Sequence, residues 1–228
     1  KECLQPQNIW IAVSGDVDKV QLIALLEANL GDWKATTLTR KQIPALPPAP
    51  TGKVLVAEKD VPQTSIKLGH PGISKDNPDF FALRVANYIL GGGGFNSRMM
   101  REIRSNRGLA YSAYSYFQIG RRLPELFIAG SETKCATTPE VVALMRQLMD
   151  QIRDEPVAET ELQLAKQSLI NSFVFAFSDI HSVVSRKMRL DYFDYPEGYL
   201  ESYRDKLAAV TIADVQRVAR RYLHPDML

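Results

Sequence analysis

The residues able to do chemistry are few and scattered. His70, His181 and His224 are the only histidines, and no H-x-x-E-H cluster occurs in either direction. A catalytic zinc takes about three protein ligands, usually with two histidines close together on one helix face. Cys3 and Cys135 form no C-x-x-C. No metal site is therefore expected within this chain. Gly91, Gly92, Gly93 and Gly94 run into Phe-Asn-Ser-Arg. A phosphate loop would need Gly-Lys-Ser/Thr there, and no lysine follows. Two readings stand: a helix stop with a flexible loop, or amides that meet an anionic or carbonyl group. Residues 98–107 (R-M-M-R-E-I-R-S-N-R) carry four arginines and one acid. They form either a patch for phosphate or acidic peptide, or a solvated face with Met99, Met100 and Ile103 turned inward. Residues 111–117 (Y-S-A-Y-S-Y-F) are unusually aromatic. As a strand they put Tyr111, Ala113, Ser115 and Phe117 on one face, and Tyr114 and Tyr116 on the other.

The elements that must hold these residues follow from composition and periodicity. A length of 228 residues allows one large domain or two small ones. The chain is 45% hydrophobic and 24% charged, which excludes disorder, and two cysteines exclude a disulfide scaffold. A net charge of +2 argues against a nucleic-acid partner. Apolar runs such as 9–13 and 173–177 are five residues long, against about 18 for a membrane span. No initiator Met or signal peptide opens the sequence, so a piece of a longer polypeptide is expected. The compartment is left between bacterial periplasm and cytoplasm.

Residues 8–14 (N-I-W-I-A-V-S) read as a buried strand, then a turn at Gly15 and a helix capped by Asp16 or Asp18. Residues 38–52 read as a Pro-rich linker, which closes a first unit at 1–37. The second unit, 53–228, opens with strands at 53–59 and 63–70. A helix follows with Pro78 in its first turn, then a short helix over 96–105. Gly108 opens a long strand, whose hairpin partner is 126–131. The rest is helical, with Val141, Leu144, Met145, Leu148 and Ile152 on one stripe. Strands followed by helices predict an α+β two-layer sandwich: a mixed or antiparallel sheet with helices on one face. Residues 1–9 also echo 220–228, with Leu4 matching Leu223 and Pro6 matching Pro225. This hints at two related domains.

The string from Leu90 to Ser115, L-G-G-G-G-F-N-S-R-M-M-R-E-I-R-S-N-R-G-L-A-Y-S-A-Y-S, resembles the pitrilysin/insulinase family of metallopeptidases. N-I-W-I-A-V-S-G-D-V-D, V-P-Q-T-S-I-K-L-G-H-P-G and V-T-I-A-D-V-Q-R-V-A-R-R-Y-L-H-P-D resemble further segments in family order. The resemblance covers essentially the whole chain. It implies a metallopeptidase-like fold of the processing-peptidase type and a non-catalytic C-terminal domain without its last strand and helix. It also implies that zinc is held by a homologous partner half, with none here. An Arg and a Tyr seven apart, here Arg104 and Tyr111, are implied to face the zinc site and donate to the attacked peptide carbonyl. Gly91, Gly92, Gly93 and Gly94 are implied to line the chamber. His70 stands where the family usually has an aromatic residue.

The function expected from this resemblance is substrate positioning for a zinc endopeptidase, with an extended peptide as substrate. Alone, the chain is expected to be inactive. The alternative is a zinc-free structural or assembly subunit with the same fold. A strand missing after Leu228 would leave a slot in the sheet. Residues 8–14 are expected to fill it, within the chain or by a swap in a dimer.

Overall fold

Period-two burial defines the sheet. In β1 (Gln63–Pro71), Ile66 and His70 are buried. In β2 (Ala110–Phe117) Ala113 and Ser115 are buried, and in β3 (Leu126–Lys134) Phe127, Ala129, Ser131 and Thr133. The computed structural model describes residues 5–35, 44, 47 and 52–228. Its sheet is antiparallel throughout, in the order β1-β3-β2. The fold is α+β, as the order of elements predicts. Helix α2 (Phe80–Asn87) comes before β2, and after β3 the chain is helical.

The helices follow their apolar stripes. In α3 (Thr138–Asp154) Val141, Leu144, Met145, Leu148 and Ile152 are all buried, and the helix packs on β3 and β1. In α4 (Glu159–Phe173) only Leu162 and Ala165 are buried. Three further helices are α5 (Ile180–Tyr192), α6 (Tyr199–Ala208) and α7 (Ile212–Tyr222). Helix α7 opens on a reciprocal capping box between Thr211 and Asp214.

The open face of the sheet is aromatic. Tyr114 and Lys67 pair with Gly130 from either side. With no side chain on Gly130, the Tyr114 ring lies across it, and Lys67 Nζ donates to its hydroxyl. That bond raises the Lys67 ammonium above the usual lysine value.

The chain forms two compact units. One is Lys1–Pro47 with Ser172–Tyr199; the other is Pro48–Asn171 with Leu200–Leu228. In the first unit, helix α1 (Lys19–Leu30) is capped by the Asp18 carboxylate, which accepts from Val20 and Gln21 N–H. Trp10 packs edge-on to Tyr192, with centroids 5.9 Å apart. No described residue of this unit is buried. The second unit holds the core.

Two expected strands are absent. Residues 53–59 make no ladder, and Leu55 is 90% exposed. Residues 9–14 are unpaired chain after a 3₁₀ turn at Pro6–Asn8. Among the described residues the sheet consists of β1, β3 and β2. Both segments are apolar and β-branched, but a strand exists only through a partner's hydrogen bonds. No helix among the described residues is long and apolar enough to cross a membrane.

Candidate functional site

The loop before the basic segment is built by close packing. The glycine run begins in a π-helical turn, Tyr88–Gly92, that carries on from α2. Gly91 is buried against β2; a Cβ there would meet Ser115 N at 2.4 Å. Asn87 locks the contact, since its Nδ2 donates to Ser115 O at 3.1 Å and its Oδ1 accepts from Ser115 Oγ at 2.8 Å. The Ala113 N–H points at Met100 Sδ. These groups close the outer edge of β2, so strand addition there is blocked. Gly93 abuts Tyr88. Gly94 differs: φ is +56° and nothing lies near its missing Cβ. The left-handed turn at Gly94 delivers Phe95. Buried Ser97 fixes the turn, donating to Gly94 O at 2.7 Å and accepting from Met100 N at 3.4 Å.

The basic segment then forms a π-helix, Met100–Asn106, in place of the short regular helix expected. Met100 and Ile103 are buried, as expected for an inward face. Three of its four arginines find acids. Arg98 pairs bidentately with Glu161, through Nε at 2.9 Å and Nη2 at 2.7 Å. This pair holds the Glu161 carboxyl below the usual range. Arg101 lies 3.6 Å from Glu161, and Arg107 lies 3.6 Å from Glu140. All three line a groove of about 600 Å³, and Arg104 is not among its lining residues.

Arg104 has no ion pair with a described residue. Its guanidinium carbon sits 4.6 Å from the Phe95 ring centre and 4.5 Å from that of Tyr111. Both distances are within the range of cation–π attraction. Gly108, at φ +62°, turns the chain from this helix into β2.

Tyr111 does not share the buried face of Ala113 and Ser115, contrary to strict alternation. The register slips between Ala110 and Ser112, and Tyr111 is 79% exposed. A β-bulge adds one residue and re-aims a side chain. The spacing that singled out Arg104 and Tyr111 thus falls on two side chains in contact. Of the glycine run, Gly91, Gly92 and Gly93 each abut protein where a Cβ would stand, against Ser115, Asn87 and Tyr88, and Gly94 faces open space. Sequence reasoning missed Phe95 and Ser97. The only available signal was an apolar ring directly after a glycine run.

The histidines do not fit zinc. The His70 ring is buried; its Nδ1 donates to Pro71 O at 2.8 Å and its Nε2 accepts from His224 N at 3.2 Å. His181 lies between Ser14 and Ser185 hydroxyls. Among the described residues no three His, Cys, Asp or Glu side chains come together to hold a metal.

Against this geometry, residues 1–169 match the family model described as the peptidase M16 inactive domain. The chain belongs to the peptidase M16 inactive domain family. A crystal structure of a peptidase M16 inactive domain from Pseudomonas fluorescens superposes with a TM-score of 0.78 at 26% identity, covering 93% of this chain and 50% of that one. An uncharacterized zinc protease of Mycobacterium tuberculosis is 28% identical over 96% of this chain and 50% of its own length. A Helicobacter pylori protein named a non-peptidase homolog is 27% identical over 70% of this chain and 37% of its own. The M16 inactive domain here thus spans about half the length of the zinc proteases it matches.

Proposed function

We propose that this chain is the non-catalytic, substrate-positioning half of a zinc-dependent metalloendopeptidase, acting on extended peptides with a separate zinc-bearing half. The observation that carries this reading is Arg104. It is a cation with no carboxylate among the described residues, held beside two exposed rings. An ammonium or guanidinium fixed this way keeps its N–H donors available. Tyr111 adds a phenolic donor next to it. A carbonyl oxygen gains negative charge as its carbon is attacked, and donors already in place stabilise that charge most. Arg104 and Tyr111 supply these donors; zinc and the attacking group belong to the partner half. Gly94, with open space at its missing side chain, leaves the loop smooth where a peptide backbone passes.

Similarity to a protein named a non-peptidase homolog favours a second reading, a structural or assembly subunit. Reconstitution separates the two. The chain is mixed with the zinc-bearing half, complex formation is checked by size-exclusion chromatography, and cleavage of a quenched peptide library is followed. The positioning role predicts cleavage that needs both halves. A stable complex without cleavage would favour the assembly subunit.

A further inference from the structure

Phe95 is a large apolar side chain left 66% exposed at the tip of a turn that is otherwise tightly fixed. Gly94 supplies the left-handed backbone before it. Ser97 ties the turn to the following helix from the other side. An exposed ring gains nothing from burial here, so the rigid turn has another use. The ring's centre lies 4.6 Å from the Arg104 guanidinium carbon. We propose that Phe95 is a positioning residue for Arg104: with Tyr111 it fixes the guanidinium by ring contacts, leaving its N–H donors for the substrate carbonyl.

The physics distinguishes this from an ordinary ion pair. Arg98, Arg101 and Arg107 are held by carboxylates, which occupy N–H donors and neutralise charge. A ring attracts the cation through its π face and accepts no in-plane hydrogen bond of carboxylate strength. A long arginine also loses rotamer freedom when it binds. Two rings remove much of that freedom beforehand, so less is lost on meeting substrate. The signal is spread over three elements: the Gly94 turn, the π-helix and the β2 bulge. None of them alone would mark Phe95.

The inference rests on the substrate role proposed for Arg104 and Tyr111, and its test separates the two. Cleavage by the reconstituted halves is measured for Phe95→Ala, Phe95→Tyr and Phe95→Leu, in wild-type and Arg104→Ala backgrounds. In parallel, the Arg104 Nε–H resonance is followed by NMR, and circular dichroism checks folding. Phe95→Ala is expected to lower kcat/KM by about three- to tenfold, with Phe95→Tyr restoring it and Phe95→Leu not. In the Arg104→Ala background Phe95→Ala should change nothing further. The Nε–H signal should lose its ring-current shift and exchange faster with water in Phe95→Ala. Equal losses in both backgrounds, full activity of Phe95→Leu, or an unchanged Nε–H signal would overturn the positioning role. Should Arg104→Ala alone be without effect on cleavage, the substrate role falls, and the NMR result still decides whether Phe95 fixes Arg104.

Discussion

Acidification from about pH 7 to about pH 4 is expected to remove about 3 kcal/mol of stability through His70 alone. Burial lowers its imidazole from 6.5 to about 4, helped by the His224 ring and opposed by the Pro71 carbonyl and Asp226. The geometry gives the reason. In the neutral ring Nδ1–H donates to Pro71 O and Nε2 accepts from His224 N–H. A proton on Nε2 would set donor against donor at the His224 N–H and place a charge on a ring shut away from water. The sign follows from linkage. Above about 6.5 the ring is neutral folded or unfolded, and stability is full. As pH falls towards 4, only the unfolded chain takes up the proton, and stability declines. Urea denaturation across this range tests it. His70→Phe should keep the stack on Phe127, cost about 1 kcal/mol at neutral pH through the orphaned His224 N–H, and flatten the acid decline. An equally steep decline in the variant would contradict the assignment.

The second large effect lies in the buried carboxylate of Asp79. It accepts from Arg217 Nη1 at 2.7 Å and from the Tyr222 hydroxyl at 2.9 Å, with Arg221 3.5 Å away. The Tyr222 hydroxyl has one proton, so in giving it to Asp79 it accepts from Asn77 Nδ2 at 3.1 Å. The network ties the start of α2 to the end of α7. Burial pushes the Asp79 carboxyl up, but Arg217, Tyr222 and Arg221 together hold it below the usual aspartate value. Asp79→Ala removes an acceptor shared by Arg217, Arg221 and Tyr222; Arg217 keeps Asp214 and the Tyr222 hydroxyl can turn to Asn77 Oδ1, so the cost should be about 2 kcal/mol. Asp79→Asn, which can still accept from Tyr222, should cost about half as much. Chemical denaturation at neutral pH measures both. A loss under about 1 kcal/mol for Asp79→Ala would show that the network adds little. Its acid dependence should fall below the aspartate value of 3.8, separate from the His70 window.

Much of the second unit was legible in the sequence. The α3 stripe and the hairpin pairing of β2 with β3 are local patterns, and local physics decides them. Residues 8–14 and 53–59 carry a strand signal just as strong, but pairing is a property of a neighbour that the sequence does not name. The exposed Val54, Leu55 and Val56 show what an apolar run becomes without one. Spacing singled out Arg104 and Tyr111, but not why they differ from their surroundings. Arg98 and Arg107 look like Arg104 in sequence; their acids, Glu161 and Glu140, come from distant helices. Tyr111 was placed on one face with Ala113 and Ser115 because alternation carries no sign of a bulge.

The most direct test of the positioning role is cleavage by the reconstituted halves with Arg104→Ala and Tyr111→Phe, each checked for folding and complex formation. The role predicts that both variants lose at least about tenfold in activity, equivalent to about 1.4 kcal/mol of transition-state stabilisation. Ordinary activity in both, with the complex intact, would contradict it and leave Arg104 and Tyr111 as structure alone.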